Sequence, residues 1–275
     1  MKKILIISAI ISIAFTACKK DDETTTTGGS TSSFTVEKKN RAAVIYFGED
    51  WCGPCGDYGG PTLDSCLLKE STLLTGIKLN GSSNTTSLNS SIANGAYSAF
   101  NTGVFAGAST IPAMAVNNQK VSITTGISYN ASSAIQKATA FSNDSVIAGV
   151  AIKKAIEGDS IVIDSKVKFF KGIAAGSDYT LGLYVVEDNL LANQYTSSGY
   201  NASYLYRNLV RTCNGSTYTG VSINSSAAIT ENQEFTTTTK IYLKPAWNKS
   251  KLKVVGIIWK KGTTPATVIN SNVVL

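Results

Sequence analysis

Two cysteines separated by two residues, placed between an apolar run and a helical pattern, constrain this chain more than any other feature. The run, residues 41–48, reads Arg-Ala-Ala-Val-Ile-Tyr-Phe-Gly, short and apolar as a buried parallel strand should be. Glu49-Asp50-Trp51-Cys52-Gly53-Pro54-Cys55 follows, and then residues 56–69 with apolar positions at Leu63, Leu67 and Leu68. A helix is therefore expected from about Gly53. At a strand-to-helix junction, unpaired amides and the helix dipole favour thiolate over thiol, which makes Cys52 the candidate nucleophile. Cys55, three residues on, faces the same way and can resolve a mixed disulfide on Cys52. Pro54 is tolerated because first-turn amides need no helical partner.

Composition removes most competing chemistries. The chain of 275 residues contains no histidine, which excludes Ser-His-Asp and Cys-His catalysis and histidine metal sites. A zinc site would need a second cysteine pair, and only Cys66 and Cys213 remain as scattered ligands, so no metal and no cofactor is expected. The net charge of +7 includes Lys2 and Lys3 and is spread thinly, which argues against nucleic acid as a partner. Hydrophobic residues make up 43% of the chain and charged residues only 16%, so Ser, Thr, Asn and Gly must supply the polar surface, as in exported β-rich proteins.

The first residues read as an address. Lys2-Lys3 and an apolar run over 4–15 have the length of a signal-peptide core and fall short of a membrane span. Phe15-Thr16-Ala17-Cys18 resembles a bacterial lipobox, which implies a leader over 1–17 and acylation of Cys18, such as by palmitate. Two acyl chains meet the requirement for stable anchoring. Lys19-Lys20-Asp21-Asp22-Glu23 resembles the lipoprotein export signal of Bacteroidetes and implies display at the cell surface. Residues 24–33 contain only Thr, Ser and Gly and complete a flexible tether over 18–33.

Trp51-Cys52-Gly53-Pro54-Cys55 matches the signature of thioredoxins letter for letter, and residues 109–116, Ser-Thr-Ile-Pro-Ala-Met-Ala-Val, resemble their cis-proline segment. The resemblance implies a redox centre at Cys52 and Cys55 bordered by Trp51, Gly53 and Pro54, with Ile111 and Pro112 docking a substrate strand. With candidate helices over 92–100 and 131–141, the order β-α-β-α-β-β-α forms an α/β thioredoxin-like domain over 34–142. Two departures stand out. Thioredoxins bury an acid where this chain has Tyr46, with Glu49 and Asp50 expected nearer the surface. Gly59-Gly60-Pro61 interrupts the helix with its proline one residue late, which suggests a bend or short insertion.

From residue 146 the pattern alternates. A hairpin turns at Glu157-Gly158-Asp159, and further strands are expected over 179–187, 234–243, 252–259 and 267–273, the spacing of a β-sandwich-like domain over 146–275. Tyr204 to Arg211 with Asn208, the strand over 254–259 and Val268-Ile269-Asn270 resemble the Omp28-related outer membrane lipoproteins of Bacteroidetes. The aromatic cluster Tyr195, Tyr200, Tyr204 and Tyr206 reads as a peptide or glycan groove or as loop packing. Cys66 lies about three helical turns beyond Cys55 and cannot pair with it in an unbroken helix; Cys66 and Cys213 either bridge the two halves or are buried as free thiols. The expected function is thiol-disulfide exchange on exported thiol- or disulfide-containing proteins from a lipid-anchored, surface-exposed position in the outer membrane. The alternative is a binding or assembly lipoprotein with a static disulfide.

Overall fold

A computed structural model describes residues 34–81, 86–107 and 110–275. The leader, Cys18 and the tether lie outside the described residues. The architecture is mixed α/β and dominated by sheet.

The first half alternates as its pattern predicts. Strand β1 (Ala42–Phe47) is buried along its whole length and pairs in parallel with β2 (Leu74–Leu79) and antiparallel with β3 (Ala113–Val116). Asn117 takes a left-handed conformation in the tight turn to β4 (Gln119–Val121), a geometry asparagine adopts more readily than most residues. Helices α1 (Gly60–Lys69) and α3 (Ile127–Ser142) cover one face, where Leu63, Cys66, Ala131, Ala134 and Ala138 pack on Val44, Tyr46 and Met114. Helix α2 (Ala93–Gly103) covers the other with Ala96 and Phe100.

The second half does not form a separate sandwich. Of its strands, β7 (Tyr179–Glu187), β10 (Leu209–Cys213), β13 (Leu252–Lys260) and β14 (Thr267–Val274) extend the first-half sheet, giving the order β14-β13-β7-β10-β2-β1-β3-β4. The short strand β11 (Val221–Ser222) adds to β7. Residues 34–275 accordingly form one compact unit, and the boundary expected near residue 145 divides the sequence but not the sheet. Strands β5 (Ala148–Glu157), β6 (Ser160–Phe169) and β12 (Glu234–Tyr242) form a second, three-stranded layer. Leu181, Leu183 and Val185 of β7 and Val254 of β13 face that layer. Their neighbours Tyr184, Val186, Val255 and Ile257 face the core beneath α2. Sheet-on-sheet packing is thus present, but one of its sheets also carries β1. Burial on both faces explains why these strands read as continuous apolar runs.

Asparagines make the join between the halves. Asn208, at φ 57°, accepts the Lys78 N–H through its carbonyl at 2.7 Å and so couples β10 to β2. Asn270 accepts the Arg41 N–H at 2.8 Å and donates to the carbonyls of Lys39 and Ala148 at 2.9 and 2.7 Å. The last pair, β8 (Leu190–Thr196) and β9 (Gly199–Tyr206), stands off the main sheet as a hairpin.

Candidate functional site

The loop after β1 carries Cys52 and Cys55 as a disulfide at the start of the helix. Cys52 is 5% exposed and Cys55 is fully buried, so the outer sulfur is that of Cys52. The Cys55 N–H donates to Cys52 Sγ at 3.2 Å, while the Gly56 N–H donates to the Cys52 carbonyl at 3.3 Å. Donation of this kind stabilises negative charge on sulfur once the disulfide opens. Cys52 Sγ also lies 3.7 Å from the carbonyl oxygen of Ile111, whose peptide bond to Pro112 is cis. The site residues drawn from distant parts of the sequence, Trp51, Cys52, Cys55 and Ile111–Pro112, therefore meet.

The displaced proline is absorbed by a π-helical turn. Residues Cys55–Gly59 wind with one extra residue, closed by the Gly60 N–H on the Cys55 carbonyl, before α1 begins with Pro61 in its first turn. A single inserted residue is what such a turn accommodates. Gly59 is needed there because a Cβ would come within 2.5 Å of the Pro112 ring and 2.6 Å of the Tyr46 hydroxyl.

Beneath the disulfide lies an aromatic cage that takes Tyr204 and Tyr206 from the cluster noted in the sequence and adds Tyr46. Tyr46 is buried and its hydroxyl donates to the Cys55 carbonyl at 3.4 Å. Lys78, directly across from it in β2, is also buried. Its ammonium lies 4.2 Å from the ring centre of Tyr206, 5.4 Å from that of Tyr46 and 5.6 Å from that of Tyr204, within cation–π range of all three. Burial lowers its pKa to about 8, against the opposing pull of Asp64 and Glu49. Burial, with neighbouring acidic groups, raises the tyrosines in turn. Glu49 and Asp50 are buried, contrary to the surface position expected for them. Glu49 accepts the Gly81 N–H at 2.9 Å.

The β8–β9 hairpin lies over the backbone of the redox loop. The Gln194 side-chain amide is within 3.0 to 3.1 Å of the carbonyls of Glu49, Asp50 and Cys52, and its oxygen accepts the Tyr206 hydroxyl at 2.7 Å. The Tyr195 N–H donates to the Asp50 carbonyl at 2.6 Å. The Ser197 N–H donates to the Asp57 carboxylate at 3.0 Å. Approach is so close that a Cβ at Gly56 would come within 2.5 Å of the Tyr195 carbonyl. Sequence reasoning missed this clamp. The hairpin itself had a signal, since residues 190–196 and 200–206 flank Ser197-Ser198-Gly199. Nothing local signalled where it would dock.

The model of the family described as outer membrane protein Omp28 matches residues 102–274. The chain belongs to the Omp28 family. The match includes Ile111, Pro112 and the clamping hairpin but begins after Cys52 and Cys55, so the dithiol stands outside the matched span. Two solved structures share the fold of this Omp28 chain. HBP35 of Porphyromonas gingivalis is similar with a TM-score of 0.67 at 16% identity, covering 87% of this chain and 76% of that one. A protein of Agrobacterium tumefaciens is similar with a TM-score of 0.51 at 11% identity, covering 87% of this chain and 96% of its own. No curated protein has a sequence that matches.

The other two cysteines among the described residues of this Omp28 protein are not bridged. Cys66 and Cys213 are free and buried in different cores, Cys66 under α3 and Cys213 beneath α2. Of the two alternatives the sequence left open, the bridge is therefore overturned, because the sheet lies between the two cores. Burial pushes the Cys66 thiol up to about 12 and the Cys213 thiol up to about 11, which leaves both unreactive. Among the described residues no group of three His, Cys, Asp or Glu side chains could hold a metal ion. No helix among them is long and apolar enough to cross a membrane, which leaves β-strand spans unaddressed.

Proposed function

We propose that this Omp28 protein catalyses thiol-disulfide exchange on exported proteins, using a thioredoxin-like arrangement over 34–142 whose sheet the second half extends. The observation that carries the reading is the Cys52–Cys55 pair itself, with the outer sulfur receiving the Cys55 N–H and lying beside Ile111 and the cis Pro112. In the reduced protein the Cys52 thiolate attacks a substrate disulfide, displacing one substrate thiolate and forming a mixed disulfide. Cys55, having lost its proton, then attacks Cys52 Sγ, closes the Cys52–Cys55 bond and releases the second substrate thiolate. Two electrons pass to the substrate, and the reverse sequence oxidises a dithiol. Lipidation at Cys18 and surface display complete the reading, placing the site on the outer membrane, consistent with the family description.

A second reading, a binding or assembly lipoprotein with a static disulfide, is favoured by one observation: Cys55 is fully buried above Tyr46 and Lys78, with no carboxylate at the position of Tyr46. Replacing Cys55 by Ser in the cell envelope separates the two. Exchange predicts covalent partners trapped on Cys52 and visible on non-reducing gels; a static disulfide predicts none.

A further inference from the structure

We propose that the β8–β9 hairpin is the recognition element for polypeptide substrates: Tyr195 and Tyr200, together with Trp51 and the small pocket beside Ile111, receive an extended apolar segment carrying the reacting cysteine. The inference rests on the exchange reading above and adds a substrate class to it.

Aromatic exposure is concentrated at this site. Five large aromatic side chains are exposed among the described residues, and three of them, Trp51 at 44%, Tyr195 at 42% and Tyr200 at 61%, belong to the redox loop and the hairpin over it. The Tyr195 ring lies 3.8 Å from where a Gly53 Cβ would stand, next in sequence to Cys52. Tyr200 meets it edge to face, with ring centres 4.8 Å apart. On the other sequence neighbour of Cys52, Trp51 shares with Phe47, Tyr97 and Ile111, and with the polar Glu49 and Asn94, a pocket of about 160 Å³, a volume on the scale of one side chain. Cys52 is thus bracketed by a side-chain pocket reached past Trp51 and a pair of aromatic rings reached past Gly53.

That spacing selects for chain length. A small thiol bonded to Cys52 carries no flanking residues with which to engage the pocket and the rings together. An extended polypeptide advances about 3.3 Å per residue, so apolar residues flanking a substrate cysteine reach both. The rings are also held in place before any substrate arrives, because Gln194, the Tyr195 amide and the Ser197–Asp57 contact fix the hairpin to the loop. Tyrosine and tryptophan fixed in this way bind with little loss of side-chain entropy. The contacts that fix the hairpin use backbone groups, Gln194 and Ser197, so replacing the Tyr195 and Tyr200 rings leaves them intact.

The test compares two substrates for the reduced full-length protein: hydroxyethyl disulfide, and a ten-residue peptide disulfide with Phe or Leu on both sides of each cysteine. In Tyr195→Ser/Tyr200→Ser, kcat/KM for the peptide should fall about tenfold, mostly through KM, while hydroxyethyl disulfide is turned over as by wild type. Equal losses on both substrates, or none on either, overturn the proposal. Wild type inactive on both substrates would instead remove the exchange reading. A redox-inert peptide with serine for each cysteine keeps recognition measurable in that event: calorimetry should show it binding wild type about tenfold more tightly than the double variant, and equal binding overturns recognition by the hairpin. Tyr200→Ser alone, which touches only the more exposed ring, should show a smaller loss in the same direction.

Discussion

The two halves of the chain divide the work at the disulfide unequally. Residues 34–142 supply the sulfurs, Trp51 and the cis proline, all within short motifs. The second half supplies no sulfur to the site, yet it closes the roof over the loop and part of the cage below. Gln194 reaches the Cys52 carbonyl across 142 positions of sequence, and Tyr204 and Tyr206 of β9 flank Lys78. The difference teaches that reactivity and its support are separately encoded: a reactive pair needs neighbours in sequence, whereas burial and orientation need neighbours in space.

The largest expected effect falls on a buried ion pair of the second half that also reaches the first. Arg211 of β10 pairs with Glu187 of β7 at 2.6 Å with both side chains buried, and also donates to the Ser87 carbonyl of the first half. Arg211→Ala leaves the Glu187 carboxylate buried without its charge partner, accepting the Asn248 N–H, and should cost about 3–5 kcal/mol, read from the urea midpoint. A loss below about 1 kcal/mol would show that the buried pair adds little to the stability of the fold.

The clamp comes next. Gln194→Ala removes the amide whose two hydrogens are shared among the loop carbonyls, and the acceptor of the Tyr206 hydroxyl, and should cost about 2 kcal/mol. Amide hydrogen exchange should quicken over residues 49–56 while β13 remains as protected as in wild type. Uniform loosening of both regions would break the assignment of the hairpin to the redox loop.

The smallest effect concerns the cage. Folded Lys78 loses its proton near pH 8, and unfolded Lys78 near its ordinary 10.5. Between those values the unfolded chain binds the extra proton, so this residue makes stability climb as pH rises, and below pH 8 its burial penalty is fully present. The tyrosines, raised by burial, act oppositely once pH passes their ordinary value of 10. Lys78→Met should therefore flatten the stability profile between pH 8 and 9 by about 1 kcal/mol, measured by urea unfolding at each pH. An unchanged slope would show that Lys78 keeps its proton in the cage.

Much of this was legible locally. The apolar run of β1, the strand-to-helix site of Cys52 and Cys55, the Ile111–Pro112 segment and the turn at Glu157-Gly158-Asp159 each depend on residues close together in the chain, and each lies where its pattern places it. The late proline at Pro61 also announced an irregular turn, which takes the form of one π-helical turn with Gly59 packed against the Pro112 ring. The tertiary structure alone decided that the second half continues the first sheet, that Glu49 and Asp50 are covered, and that Cys66 and Cys213 stay apart. The physical reason is range. Periodicity and helix-end chemistry act over a few residues and are written in local order. Strand order, by contrast, is settled by which faces can bury against one another, and a side chain such as Gln194 gains its role only when a distant loop folds beneath it.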